Sequence, residues 1–172
     1  MKYLAAVALA LLATPALADL KVGAPAPDFT LPATLGGKNF TFHLADALKK
    51  GPVVVYFYPG AFTSGCTVEA HEFAVAMPQF TAAGASVIGV SGDDMAKLDK
   101  FSTSECQSKF PVASDTERKV IKSYDATMLF GAVPSRTSYV IGQDGKVKFV
   151  YRALDPDGHV DGTLKAARAL KP

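Results

Sequence analysis

The sequence predicts an α/β domain in which strands and helices alternate and an antiparallel hairpin follows the parallel strands. Two apolar runs, 53–57 and 86–91, are continuous and rich in β-branched residues, which is typical of strands buried in the middle of a sheet. A helical pattern follows each run. Two later strands, 136–141 and 146–152, are joined by Gly142-Gln143-Asp144-Gly145, a sequence that favours a hairpin turn. The predicted order is therefore β-α-β-α-β-α-β-β-α.

Shorter elements lead into the first central strand. Residues 22–32 are rich in proline and are predicted to be extended, and Gly36-Gly37 makes a turn into an alternating strand over 39–43. A short helix is predicted over 46–50, because lysines occupy its last turn and Gly51-Pro52 stops it.

The helices on either side of the second central strand carry the two cysteines. The first helix begins near Cys66, and we expect Pro78 to kink or end it, because proline removes a backbone hydrogen bond and clashes one turn back. Asp93-Asp94 is predicted to cap a helix that runs to about Ser104. Cys106 would then lie just past the regular part of that helix.

The last part of the chain contains a short strand and two more helices. The strand is predicted over 110–113, and Ser114-Asp115-Thr116-Glu117 has the spacing of a capping box for a helix to about Tyr124. Residues 158–170 have the pattern of a final helix. Neither an internal repeat nor an interdomain linker interrupts the chain, which indicates a single domain after the N-terminal segment.

The composition is that of a globular protein with a substantial core. Of the 172 residues, 49% are hydrophobic and 20% are charged, and the formal net charge is +2. Basic and acidic residues are interleaved, without a block of Lys and Arg. This pattern argues against a nucleic-acid partner and against an anionic membrane surface.

The first eighteen residues have the pattern of a cleaved export signal. Lys2 supplies a positive charge, the apolar run 4–12 follows, and Ala16-Leu17-Ala18 resembles a cleavage site. The run is too short to span a bilayer. We therefore expect a mature domain over 19–172 in a periplasm or outside the cell, with no membrane anchor after cleavage.

The most informative stretch surrounds Cys66, which follows a predicted central strand and lies at the start of a helix. Unpaired N–H groups and the positive end of the helix dipole stabilise a thiolate at such a position. Thr63, three residues earlier, is placed either to cap the helix or to hydrogen-bond to the molecule that Cys66 attacks. The alternative is a buried structural cysteine.

The pattern Pro59-x-x-x-Thr63-x-x-Cys66 resembles the active-site motif of the peroxiredoxins. Its form, Pro-Gly-Ala-Phe-Thr-x-Gly-Cys, resembles that of the atypical two-cysteine members, which are also called Q-type or bacterioferritin-comigratory. The lead-in 22–32 and the segment 110–115 also resemble this family. The resemblance implies a thioredoxin-like three-layer sandwich with a central mixed sheet and an N-terminal hairpin extension. It also implies a thiol peroxidase without cofactor or metal, acting on hydrogen peroxide or organic hydroperoxides.

The same resemblance assigns site residues. Cys66 would be the peroxidatic cysteine, and Arg136 matches the strand-borne arginine that the family places beside the thiolate. Pro59 and Phe62 would pack around the site and shield it from water. The alternative for Arg136 is a surface arginine at a strand edge. Implied partners are a peroxide and a thioredoxin-like or glutaredoxin-like reductant, and the implied state is a monomer or homodimer.

The second cysteine has three interpretations. In one branch of the family the resolving cysteine lies five residues after the first, and His71 occupies that position here. Cys106 is the remaining thiol, and the resemblance implies that it resolves the sulfenic acid as an intramolecular disulfide. Alternatively, Cys66–Cys106 is a structural bridge, which would close a loop of about 40 residues and contribute about 4 kcal/mol, or Cys106 is idle.

Other ionisable residues near the motif suggest no different chemistry. His43, His71 and His159 lack the spacing of metal ligands, and each is expected to be solvated or capped. Glu69 lies one turn from Cys66, where it is either part of the site or an ordinary acid of a first helical turn.

Other functions of the same fold require residues that this chain lacks. A disulfide reductase needs a C-x-x-C motif, and the positions three residues from Cys66 hold Thr63 and Glu69. A copper chaperone needs C-x-x-x-C, and Phe62 and Ala70 occupy those positions. A non-enzymatic binding module stabilised by a disulfide remains as the alternative.

Overall fold

The fold is described from a computed structural model that covers residues 20–129, 131 and 133–171. The predicted export signal, residues 1–18, lies outside the described residues. The strands are β1 (Thr30–Leu35), β2 (Lys38–His43), β3 (Val53–Phe57), β4 (Ser86–Ser91), β5 (Val112–Ser114), β6 (Thr127–Met128), β7 (Val133–Pro134), β8 (Thr137–Ile141) and β9 (Val147–Arg152). The helices are α1 (Leu44–Leu48), α2 (Ser64–Ala82), α3 (Met95–Ser104), α4 (Lys119–Ser123) and α5 (His159–Ala169).

Seven strands form one mixed sheet in the order β2-β1-β5-β4-β3-β8-β9. Strands β3, β4 and β5 are parallel, whereas β8 pairs antiparallel with β3 and β9 with β8. The N-terminal hairpin β1–β2 extends the sheet through an antiparallel pairing of β1 with β5. The mixed sheet, the C-terminal hairpin and the N-terminal hairpin extension are therefore confirmed. The small pair β6–β7 was not indicated by the sequence.

The sheet separates two apolar layers, because side chains alternate between the faces of β3. Val54 and Tyr56 pack in a cluster that includes Phe73 of α2, Leu98 of α3 and Leu164 of α5. The other face of β3 packs against α1 and α4. Helices on both faces make the predicted three-layer sandwich. Both cysteines of the chain belong to the α2–α3–α5 side.

The helix does not end at Pro78, which was one of the two predicted outcomes, because α2 continues through it to Ala82. Phe73 and Phe80 lie seven residues apart, hence on the same face of the helix, and both are fully buried against the sheet. Burying two aromatic side chains offsets the roughly 3 kcal/mol that an internal proline costs.

The predicted capping box at Ser114 is wrong. Ser114 ends β5, and its hydroxyl donates to a backbone carbonyl 2.7 Å away. The carboxylate of Asp115 instead accepts from the N–H groups of Lys119 at 3.1 Å and Ile121 at 2.8 Å, so the helix starts later than predicted. Glu117 is exposed and forms an ion pair with Lys119.

The other boundaries differ from the predicted ones by a few residues, and α1 shows why. Its backbone N–H at Ala45 donates to the carboxylate of Asp28 at 3.0 Å, so a residue from the lead-in segment fixes where this helix begins. A cap from 17 residues away leaves no local signal. Among residues 20–129, 131 and 133–171, no helix is both long enough and apolar enough to span a bilayer.

Candidate active site

Cys66 is the third residue of α2 and only 1% of its surface is exposed. The loop between β3 and α2 is held by Asp93, which follows β4 and accepts from the N–H of Ala61 at 2.6 Å. Phe62 adopts a left-handed conformation with φ 66° as the loop turns into the helix. Because parallel strands β3 and β4 end at the same edge of the sheet, this contact fixes the start of α2, and with it the thiol.

Arg136 lies beside Cys66 although 70 residues separate them in the chain. Thr137, the next residue, pairs with Phe57 at the end of β3, so the sheet register brings Arg136 to the cysteine. The guanidinium Nη2 is 3.6 Å from the Cys66 Sγ, and Arg136 is 5% exposed. The arginine is therefore buried at the site rather than on the surface.

The other nitrogens of Arg136 are fixed by protein acceptors. Nε donates to the carbonyl oxygen of Leu154 at 2.9 Å, and Nη1 donates to that of Gly65 at 3.4 Å and to the carboxylate of Glu69. These bonds occupy Nε and Nη1 of the planar guanidinium and leave the two N–H groups of Nη2, the nitrogen that contacts the sulfur of Cys66.

Gly65 is required by the approach of the arginine. A Cβ atom at this position would lie 2.8 Å from Nη2 of Arg136, closer than real Cβ contacts allow. Any side chain here would displace the guanidinium from Cys66. The glycine before the cysteine thus makes room for the cation.

Glu69 is part of the site rather than an ordinary acid of a first helical turn. Its side chain is fully buried and forms an ion pair with Arg136. Burial raises the pKa of Glu69 to about 8, although the charge of Arg136 acts in the opposite direction. The sequence left its role open because burial depends on packing between α2, β8 and α5.

Thr63 and Pro59 lie at the entrance to the same loop. The hydroxyl of Thr63 donates to the carbonyl oxygen of Gly60 at 3.0 Å, and it does not cap α2. Pro59 is half-buried. The ring of Phe62 packs edge-on against Phe101 of α3, with ring centres 5.3 Å apart.

Cys106 lies two residues past α3 and is fully buried. Burial raises the pKa of its thiol well above the ordinary value. The residues that follow, Gln107 and Ser108, both have positive φ angles, near 52° and 55°. Cys66 and Cys106 are both free thiols on the same side of the sheet.

The three histidines have different environments. His43 lies between the carboxylates of Asp28 and Asp46, whose hydrogen bonds raise its pKa, and His71 pairs with Glu105 at 3.1 Å. The expectation of a solvated or capped histidine is wrong for His159, which is fully buried. Within the described part of the chain, no group of three or more His, Cys, Asp or Glu residues is placed to hold a metal ion.

The thioredoxin-like sandwich, with a buried cysteine at the start of a helix and a buried arginine against its sulfur, defines a thiol peroxidase. Residues 22–150 match the AhpC/TSA family. The chain belongs to this family and, within it, to the Q-type peroxiredoxins.

Individual relatives agree with this assignment. The chain is 38% identical over 156 residues to peroxiredoxin Q of Suaeda salsa chloroplasts, covering 90% of this chain and 71% of the relative. Among solved structures, peroxidoxin BcpB from Mycobacterium tuberculosis superposes with a TM-score of 0.80 at 33% identity, covering 89% and 99% of the two chains. The bacterioferritin comigratory protein of Xanthomonas campestris, described as reducing alkyl peroxides, superposes with a TM-score of 0.72 at 30% identity. The match covers 83% of this chain and 92% of that one.

Proposed function

We propose that Cys66 is the peroxidatic cysteine, that Arg136 orients the peroxide and stabilises the thiolate, and that Cys106 is the resolving cysteine. The observation that carries the proposal is the 3.6 Å contact between Sγ of Cys66 and Nη2 of Arg136. Protein acceptors occupy Nε and Nη1, so Nη2 is the part of this buried cation that serves the sulfur and the peroxide.

In the first step the thiolate of Cys66 attacks one oxygen of the O–O bond. An S–O bond forms, the O–O bond breaks, and the departing oxygen takes a proton from solvent to leave as water or as an alcohol. Cys66 is thereby oxidised to a sulfenic acid. Arg136 stabilises the negative charge as it moves from sulfur to the departing oxygen, and the Thr63 hydroxyl turns from Gly60 to the bound peroxide.

In the second step the thiol of Cys106 attacks the sulfenic sulfur of Cys66. The S–S bond forms, the S–O bond breaks, and the hydroxyl leaves as water with the thiol proton. Both cysteines are buried in the reduced protein, so both segments must open locally. Cys106 lies where α3 has ended, and helix ends open at low cost.

A dithiol donor of the thioredoxin or glutaredoxin type then reduces the disulfide by thiol exchange. Hydrogen peroxide and organic hydroperoxides are the proposed substrates, and similarity to a protein that reduces alkyl peroxides supports the second class. Either a monomer or a homodimer is compatible with this cycle, because each step uses residues of one chain.

The proposal is tested by a peptide map under non-reducing conditions. The reduced protein is treated with one equivalent of hydrogen peroxide, digested and analysed by mass spectrometry. We expect a Cys66–Cys106 linked peptide that is absent before peroxide and disappears after a thioredoxin-type donor is added. A bridge already present in freshly purified, dithiol-treated protein would instead indicate a structural disulfide.

Replacing Cys106 with serine is expected to leave the first oxidation intact and to block the second step. The variant should consume about one equivalent of peroxide, stop as the sulfenic acid and proceed to the sulfinic acid with excess peroxide. Dimedone trapping and intact-mass measurements distinguish these species. Normal steady-state turnover with a thioredoxin-type donor would show that Cys106 has no resolving role.

We also propose that the protein is exported and that residues 1–18 are removed. The basis is the sequence of this segment alone, and the expected mature N-terminus is Asp19 or a residue adjacent to it. Mass spectrometry of the protein isolated from its native host, fractionated into cytoplasm and periplasm, measures both points. Recovery of a chain that retains Met1 from the cytoplasm would contradict export.

A further inference from the structure

His159 is a buried histidine that the proposed steps do not use. It is the first residue of α5, and its ring lies between β8, α2 and the loop that follows β9. Its Nδ1 is 2.8 Å from the hydroxyl of Ser138, and its Nε2 is 3.3 Å from the carbonyl oxygen of Ala153. The ring is fully buried and packs edge-on against Tyr151.

These contacts define the protonation of the ring. A carbonyl oxygen only accepts, so Nε2 carries the hydrogen and donates to Ala153. Burial lowers the pKa of His159 to about 4, so the ring is neutral near pH 7 and Nδ1 accepts from the Ser138 hydroxyl. The imidazole therefore acts as a fixed link between the sheet and the loop.

Each ring nitrogen of His159 lies near a group that accepts a hydrogen bond from Arg136. Ala153 immediately precedes Leu154, whose carbonyl oxygen accepts from Nε of Arg136 at 2.9 Å. The Nδ1 atom of His159 also lies 3.6 Å from Oε1 of Glu69, the carboxylate that binds Nη1 of Arg136. Nδ1 already accepts from Ser138, so its approach to Oε1 is a contact without a hydrogen bond, and the bond to Ala153 is the one that bears on Arg136.

We infer that His159 is a positioning residue for peroxide reduction: by holding the Ala153–Leu154 backbone, it keeps the guanidinium of Arg136 directed at Cys66. This inference rests on the proposed role of Arg136. The arginine itself is 5% exposed and long, and a misplacement of about 1 Å is enough to slow a reaction that depends on alignment. His159 acts through Arg136 and does not touch the reacting atoms.

The test compares the oxidation rate of Cys66 in His159→Leu, His159→Gln and wild type. The chain contains no tryptophan, so the rate constant is measured by competition with horseradish peroxidase for hydrogen peroxide. We expect His159→Leu to slow oxidation about tenfold, less than the roughly 10²-fold that a misplacement of about 1 Å costs, because Arg136 keeps its other acceptors. His159→Gln retains an amide donor for the Ala153 carbonyl and should recover most of the rate.

Ser102→Ala is the matched control for a purely structural effect. Ser102 is equally buried, lies on α3, and accepts from the N–H of Gly36 at 2.8 Å. Its loss costs stability without touching the loop that holds Arg136. We expect the folded Ser102→Ala protein to oxidise at the wild-type rate, with circular dichroism used to verify that each variant is folded.

The decisive measurement repeats His159→Leu in an Arg136→Met background. If His159 acts through Arg136, the second substitution adds no further slowing. The inference is overturned if folded His159→Leu oxidises at the wild-type rate, or if it slows oxidation equally with and without Arg136.

Should His159→Leu fail to fold, Ser138→Ala, which removes the donor to Nδ1, is tested against the same two outcomes. Arg136→Met alone oxidising normally would overturn the role of Arg136 and this inference with it.

Discussion

Replacing Cys66 with serine is expected to abolish peroxide turnover while the fold stays intact. A serine hydroxyl is not ionised at neutral pH and is a poor nucleophile toward an O–O bond, whereas a thiolate attacks it readily. Serine is slightly smaller than cysteine, and the polar contact of Cys66 within the described part of the chain is with Arg136, so packing changes little. Steady-state peroxide consumption with a dithiol donor measures the loss.

The matched variant is Cys106→Ser, which removes the other buried thiol. It should still react with the first equivalent of peroxide, whereas Cys66→Ser should not react at all. Substantial consumption by Cys66→Ser would show that a different residue is the nucleophile. Equal loss in the two variants during the first turnover would also contradict the assignment, because only the peroxidatic cysteine is needed for that step.

The substitution Arg136→Met is expected to slow the oxidation of Cys66 by roughly 10²- to 10³-fold, the range found when one preorganised donor is removed from a charged transition state. Methionine retains much of the apolar volume of the arginine stem but supplies no donor to sulfur or peroxide. The rate constant is measured with hydrogen peroxide and with an organic hydroperoxide. A thiol that oxidises at the wild-type rate would refute the role of Arg136.

The same substitution is expected to make stability more sensitive to pH through Glu69. Burial already raises the folded pKa of Glu69 to about 8, and loss of the neighbouring cation raises it further. In the unfolded chain a glutamate titrates near pH 4.3. The unfolded state therefore releases its proton first as pH rises, and the free energy of unfolding falls from about pH 4.3 to the folded pKa, which is about 8 in the wild type and higher in the variant.

Urea denaturation of the reduced proteins at about pH 7 and about pH 9.5 measures this effect, because the wild-type loss levels off above the folded pKa of about 8 whereas the loss in Arg136→Met continues. Arg136→Met should lose more stability than wild type between the two values, because a buried carboxylate without its partner is costly. Adding Glu69→Gln removes the titrating group and should abolish the additional loss. An unchanged pH dependence in Arg136→Met would show that Glu69 does not depend on Arg136 for its charge.

Several features were predictable because their causes are local. The apolar runs of β3 and β4 identify buried strands, and the break after β3 places Cys66 at the start of a helix. Elsewhere packing overrides local preference. Pro78 remains inside α2 because Phe73 and Phe80 are buried on both sides of it.

Other features depend on contacts between distant parts of the chain. Asp28 caps α1, whose boundary the sequence misplaced, since a carboxylate 17 residues away leaves no capping pattern at the helix itself. His159 belongs to the same class. A lone histidine after a glycine suggests a solvated residue, and only the packing of α5 against β8 and α2 buries it.

The sequence by itself determined the α/β class and the position of a reactive cysteine, because hydrophobic periodicity and a strand-to-helix break act over a few residues. A motif resemblance further indicated Arg136 as its partner. Only the tertiary structure decided how Arg136 is held, since the register of β8 on β3 and the burial of Glu69 join residues about 70 positions apart. The position of Cys66 thus follows from nearby sequence, whereas the placement of Arg136 beside it follows from the pairing of strands in the sheet.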